Sequence, residues 1–217
     1  MTGMASAGMP RRDVARGLGA GAASLVLAGL SGAWTLAPPD LVPRPGFGFR
    51  SLRFTLTDAA TAKTVTAADF RGKVVLLYFG YTNCTDVCPL TLNNVARIFR
   101  RLGPRAASMR FLFVTVDPAR DTPAVLRSYT RHFGAASILG LRGTAPELAV
   151  LAARMGASYG VHPSRDPAKY EVTHTTLTYV FNGEGAPAFS IVGLERPKLD
   201  LEGIGRDLTH LLDAGQV

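Results

Sequence analysis

An apolar run, Val74-Val75-Leu76-Leu77-Tyr78-Phe79, stops just short of the only two cysteines in the chain, Cys84 and Cys88. A run of that character reads as a buried strand, and the residues after Cys88 carry helical spacing. The dithiol therefore falls at a strand-to-helix junction. There the free N–H groups and partial positive charge of a helix N-terminus favour thiolate over thiol. Thiolate is both the nucleophile and the metal-ligating form of cysteine, so reactive sulfur chemistry is the expectation.

Three residues separate the cysteines, where a redox Cys-x-x-Cys pair has two. On a regular helix the Cβ atoms of i and i+4 lie about 5–6 Å apart, whereas a disulfide wants about 3.5–4.5 Å. With Cys84 in the loop and only Cys88 in the first turn, both a disulfide and a metal chelate are open to the pair. A purely structural bridge is the weaker reading, because closing so short a loop removes little chain entropy.

The rest of the body alternates strand and helix, the pattern of an α/β fold. Strands are expected over 51–57, 74–81, 110–116 and 138–141. Helices are expected over 89–102, 123–132, 144–156 and 197–212, with Thr122 and Thr144 as caps. A hairpin over 175–181 and 188–192 turns at Asn182-Gly183-Glu184-Gly185. Strand–helix–strand–helix, then a hairpin and a terminal helix, is a thioredoxin-like layout: a central mixed sheet flanked by helices, with the dithiol after the first core strand.

Residues 1–37 read as an export signal or signal-anchor. Arg11, Arg12 and Arg16 precede an uncharged, Gly- and Ala-rich run that Pro38-Pro39 ends, the order that leaves the charged end in the cytoplasm. The arginine pair resembles a twin-arginine signal, and Ser31-Gly32-Ala33 offers a small-x-small cleavage site. Residues 38–50 read as a linker and 51–217 as a single domain large enough for its own core. The expected location is the periplasmic, or otherwise non-cytoplasmic, face of a bacterial inner membrane, anchored or released after cleavage. The net charge of +8 is carried mostly by the body and suits an anionic membrane surface or an acidic partner. No basic run is interleaved with aromatics, so no nucleic-acid partner is expected.

Residues 78–89, Tyr78-Phe79-Gly80-Tyr81-Thr82-Asn83-Cys84-Thr85-Asp86-Val87-Cys88-Pro89, resemble the signature of the Sco/SenC proteins, copper chaperones for cytochrome c oxidase assembly. Val114-Thr115-Val116-Asp117-Pro118-Ala119-Arg120-Asp121-Thr122-Pro123 resembles that family's second motif. Tyr170-Glu171-Val172-Thr173-His174-Thr175-Thr176 resembles its third, which supplies a histidine ligand. The resemblance implies a copper site made of Cys84, Cys88 and His174, with the two cysteines also forming a redox disulfide. It implies as partners a copper-accepting respiratory enzyme subunit, a thiol-disulfide reductant and an upstream copper donor. Two positions depart from the family pattern. Thr85 stands where the family usually has Pro, and Thr173 where it usually has Asp, which takes a carboxylate from beside the metal.

The ligand set suits copper on its own chemistry. Soft sulfur holds Cu(I), and imidazole accommodates Cu(II). A structural zinc site would want a fourth protein ligand, and no further cysteine exists to provide one. His132 near a helix end, His162 in a polar loop and His210 in the last helix read as surface residues. Asp86, between the cysteines, and Asp117, at the end of the neighbouring strand, are candidates to tune the site from just outside it. A first-turn acid and a turn-forming Asp-Pro are their ordinary explanations. No residue is assigned a catalytic role.

The rival class is a thiol-disulfide oxidoreductase that reduces cysteines of exported partners. Such enzymes place a cis-proline opposite the dithiol. The corresponding stretch here, Val172-Thr173-His174-Thr175, has none and offers a ligand instead. Peroxidase chemistry is the third reading, and the close cysteine spacing counts against it.

Overall fold

The computed structural model describes residues 41–42 (backbone only), 50–134, 136–166 and 169–214. The stretch read as an export signal or signal-anchor, 1–37, and most of that read as a linker, 38–50, lie outside the described residues. Among those described, no helix is long and apolar enough to cross a membrane.

The apolar run forms strand β4 in the order that follows: β1 (Leu41–Val42), β2 (Thr55–Asp58), β3 (Thr64–Thr66) and β4 (Val74–Gly80). Helix α1 (Val87–Leu102) crosses to β5 (Met109–Thr115), and α2 (Pro123–His132) crosses to β6 (Ile138–Arg142). After α3 (Ala145–Met155) come β7 (Tyr159–His162), β8 (Glu171–His174), β9 (Thr178–Phe181), β10 (Pro187–Ile191) and α4 (Leu201–Ala214). Eight strands make one sheet in the order β1-β10-β9-β4-β5-β6-β2-β3, and β7 with β8 form a separate two-stranded sheet.

Every residue of β4 is buried, because both its edges and both its faces are covered. It pairs in parallel with β5 and antiparallel with β9. Its alternation divides the core: Val74, Leu76 and Tyr78 pack with residues of α1, α2 and α4, whereas Val75, Leu77 and Phe79 pack with residues of α3. The helices begin where their caps dictate. Thr122 accepts from Val125 N–H to start α2, and Thr144 forms a capping box with Glu147 to start α3. Gly156, at φ +63°, ends α3 in the left-handed conformation that glycine tolerates.

The mixed sheet flanked by helices matches the expected α/β layout. The differences are local. The first body strand begins at Thr55 rather than 51 and pairs with β3, which the sequence did not announce. Leu41–Val42, inside the stretch read as linker, pairs with Ile191 and Ser190 of β10. The terminal helix starts at Leu201 rather than 197. The largest omission is the β7–β8 hairpin, which replaces the polar loop expected around His162. Its strands lack an alternating apolar face, since Val172 is their single buried residue, so periodicity could not mark them.

Candidate metal centre

The two cysteines are held by different elements. Cys84 lies in the loop after β4, and Cys88 is the second residue of α1. Asp86 occupies the N-cap position of α1 but makes no side-chain capping bond. The sulfur of Cys84 takes that role, accepting from the Cys88 N–H at 3.4 Å. The helix start and the thiolate thus stabilise each other. Both cysteines are free thiols, Cys84 half-buried and Cys88 fully buried.

Close approach of Cys88 to the sheet depends on Gly80. A Cβ there would sit 2.6 Å from the Phe113 ring and 2.9 Å from the Cys88 sulfur. Strand β4 therefore ends on the residue that leaves room for the thiol.

His174 arrives from β8, with Nε2 3.5 Å from Cys88 Sγ. Its Nδ1 lies 3.1 Å from the Thr175 carbonyl. A carbonyl only accepts, so Nδ1 carries the proton and Nε2 turns its lone pair toward the sulfurs. Tyr78 and Tyr81 meet the imidazole edge-on, at centroid distances of 5.7 and 5.8 Å. The donor atoms of Cys84, Cys88 and His174 all lie within 4.8 Å of one another. Two metal–ligand bonds of about 2.3 Å span at most about 4.6 Å, so a single ion fits with small side-chain adjustment. Among the described residues no other group of three Cys, His, Asp or Glu side chains converges in this way.

One proton organises the dithiol. The hydrogen bond from Cys88 is the main cause that lowers Cys84 to a pKa of about 3, against the effect of burial, with help from the Cys88 N–H. Cys88 moves up, through the same bond to Cys84, its burial and the Cys84 charge. Cys84 is therefore the thiolate and Cys88 the thiol. Tyr78, whose hydroxyl lies 3.9 Å from Cys88 Sγ, is held protonated chiefly by burial.

The candidates just outside the site behave differently from one another. Asp86 is exposed beside the dithiol loop. Asp117 is 3% exposed and is turned to other partners: it accepts from the Tyr170 hydroxyl at 2.5 Å and from Arg120 Nε at 2.5 Å. Arg120 in turn stacks its guanidinium 3.6 Å from the Tyr170 ring centre and donates to the Tyr170 carbonyl at 2.9 Å. Its guanidinium also lies 5.9 Å from the Tyr81 ring centre. Asp117 and Arg120 thus tie the strand that carries His174 to the end of β5.

Asp121 is the residue that motif spacing did not single out. It is 0% exposed and accepts from Thr82 N–H at 3.1 Å, from the Thr82 hydroxyl at 2.6 Å and from the Thr115 hydroxyl at 2.5 Å. It anchors the dithiol loop to β5. The signal available was an acid inside an apolar-flanked motif, where a buried charge needs several donors. His132, His162 and His210 are exposed. His162 bonds Thr173 Oγ1 at 3.0 Å from a strand rather than a loop.

The fold and the two-sulfur, one-imidazole cluster define a thioredoxin-like protein with a three-donor soft-metal site. The sequence model of the SCO1/SenC family matches residues 49–206. The chain belongs to that family. It is similar to SenC of Rhodobacter capsulatus, with 36% identity over 76% of this chain and 77% of that protein. It is also similar to the mitochondrial SCO2 homolog of Bos taurus, with 35% identity over 75% of this chain and 64% of the relative. The chain spans less than two thirds of the length of the first curated relatives it matches. The structure of Bradyrhizobium japonicum ScoI with copper bound superposes with a TM-score of 0.66 at 32% identity, covering 75% of this chain and 99% of that one.

Proposed function

We propose that this protein binds one copper ion through Cys84, Cys88 and His174 and delivers it to a respiratory copper enzyme, foremost the copper site of cytochrome c oxidase. The observation that carries this reading is the convergence of two sulfurs and one imidazole nitrogen within 4.8 Å. Sulfur suits Cu(I) and imidazole extends the site to Cu(II). Copper is the cargo. Three protein donors leave room for an incoming ligand, so a bond to the acceptor can form as a bond to this chain breaks. Loading requires the Cys88 proton to leave, since thiolate is the ligating form. Delivery would take place on the non-cytoplasmic side of the membrane, to which residues 1–37 direct the body. The upstream donor and the reductant that keeps the pair as thiols are further partners in this scheme.

A second reading rests on the half-buried Cys84 thiolate. A low-pKa sulfur beside a thiol that can resolve a mixed disulfide also suits thiol-disulfide exchange. Copper titration of the reduced chain, with X-ray absorption on wild type and His174→Ala, tests the first. One copper per chain with two sulfurs and one nitrogen is expected, and nitrogen is lost in the variant. Identical sulfur-only coordination in both proteins would remove His174 from the site.

A further inference from the structure

At the other end of β5 from the dithiol, a cleft of about 420 Å³ opens between α2, the start of β6 and the turn after β2. Three arginines line it: Arg110 from β5, and Arg127 and Arg131 from α2. Asp58 is the one carboxylate among them, and it is already engaged. The Ala60 N–H donates to its Oδ1 at 2.9 Å and the Thr61 hydroxyl to its Oδ2 at 2.8 Å. Among the described residues, no carboxylate lies within ion-pairing distance of any of the three arginines.

Arg127 and Arg131 are four apart on one helix face, a spacing at which like charges repel. Arg131 in the last turn complements the helix dipole. That accounts for one arginine and not for the convergence of three from two elements. Arg110 donates through Nη1, to the carbonyls of Ala107 at 3.0 Å and Met109 at 2.6 Å. Its Nε and Nη2 remain for a ligand.

We propose that this cleft is an anion site for a phosphate-bearing ligand. Guanidinium groups bind phosphate oxygens in paired, charge-assisted hydrogen bonds and keep their charge at every physiological pH. The cleft volume falls within the roughly 300–1,000 Å³ typical of small-ligand sites. Phosphate bound there relieves the repulsion within α2, and the positive net charge of the chain draws it in. The ligand is either a soluble phosphate compound or the headgroup of an anionic phospholipid; both present the same oxygens. This site is independent of copper binding.

The test uses the full-length chain and two probes. Inorganic pyrophosphate is titrated calorimetrically against wild type and the Arg127→Gln/Arg131→Gln double variant. Vesicles of phosphatidylglycerol or of phosphatidylcholine are floated with the same proteins. Saturable one-to-one pyrophosphate binding, weakened at least about tenfold in the variant, is the expected result. A further preference for phosphatidylglycerol vesicles that the variant loses identifies the lipid source, and its absence identifies the soluble one. Phenylglyoxal labelling of the wild type, read by peptide mass, checks the site without a variant: pyrophosphate should protect Arg127 and Arg131. Neither probe binding saturably, equal binding by the variant, or labelling unaffected by pyrophosphate would each overturn the proposal.

Discussion

The Cys88 sulfur and His174 Nε2 stand 3.5 Å apart although 86 positions separate them in the chain. Helix α1 fixes one and strand β8 of the separate β7–β8 hairpin the other, so the site forms only when these distant elements have come together. The Thr175 carbonyl sets the imidazole tautomer, and two tyrosine rings set its plane. The site is thus held ready by its surroundings, and the first tests are of those surroundings.

Gly80→Ala should damage the site without touching a donor atom. The added methyl would press on Phe113 and on Cys88 Sγ, and overpacking of this kind costs about 1–3 kcal/mol. Denaturant unfolding should register that loss, and copper titration should register weaker binding. Wild-type values for both would mean that the strand end can shift freely.

Arg120→Met should loosen the strand that carries His174. It removes the partner of the nearly buried Asp117 carboxylate and the stack on Tyr170. Stripping one member of a buried pair costs about 3–5 kcal/mol, and the partial exposure of Arg120 puts the expected loss at the lower end. X-ray absorption of the copper-loaded variant should show a depleted nitrogen shell. A full nitrogen shell with reduced stability would confine Arg120 to a folding role.

Asp121→Asn should show a pH signature. Burial raises the Asp121 carboxyl above its ordinary value, so the folded state holds this proton more tightly than the unfolded state. Its contribution is therefore fully present below the unfolded value of about 3.9 and is lost as pH rises through the higher folded pKa. Wild type should gain stability relative to the variant as pH falls through that window. Superimposed on this is a pH-independent loss of about 1–3 kcal/mol, because an amide cannot accept from all three donors that Asp121 satisfies. Urea unfolding of both proteins at several pH values measures the difference, and a difference that does not change with pH would mean that Asp121 does not titrate in this range.

What the sequence made legible follows from distance along the chain. The dithiol, its strand and its helix are contiguous, and the Thr122 and Thr144 caps are local motifs, so each could be read directly. His174 emerged only through resemblance to a family motif, since no local pattern links it to Cys88. Asp121 and Thr82 are 39 residues apart, Arg120 and Tyr170 50 apart, and Asp117 and Tyr170 53 apart. Those contacts are set by the parallel register of β4 with β5 and by the β7–β8 hairpin, whose polar strands carry no periodic signal. The assignment of Asp117 as a residue beside the dithiol missed its partners for that reason.

The final prediction concerns the shared proton. Because Cys88 donates to Cys84, the Cys84 pKa is pushed down to about 3, and Cys84 should stay reactive in mild acid. An ordinary thiol of pKa about 8.5 loses about a hundredfold in thiolate between pH 7 and pH 5. Cys84 should lose less than about twofold over that interval, since both pH values lie above its folded pKa. Cys88 should remain unlabelled while folded, because it is buried and holds the proton. Replacing Cys88 with Ala removes the hydrogen-bond donor beside Cys84, so the pH dependence of labelling should steepen toward that of a free thiol. The measurement is the iodoacetamide rate at each cysteine, followed by peptide mass, in metal-free reduced protein. A hundredfold fall at Cys84 in wild type would show that the two sulfurs do not share a proton, and would also remove the main support for thiol exchange as a second activity.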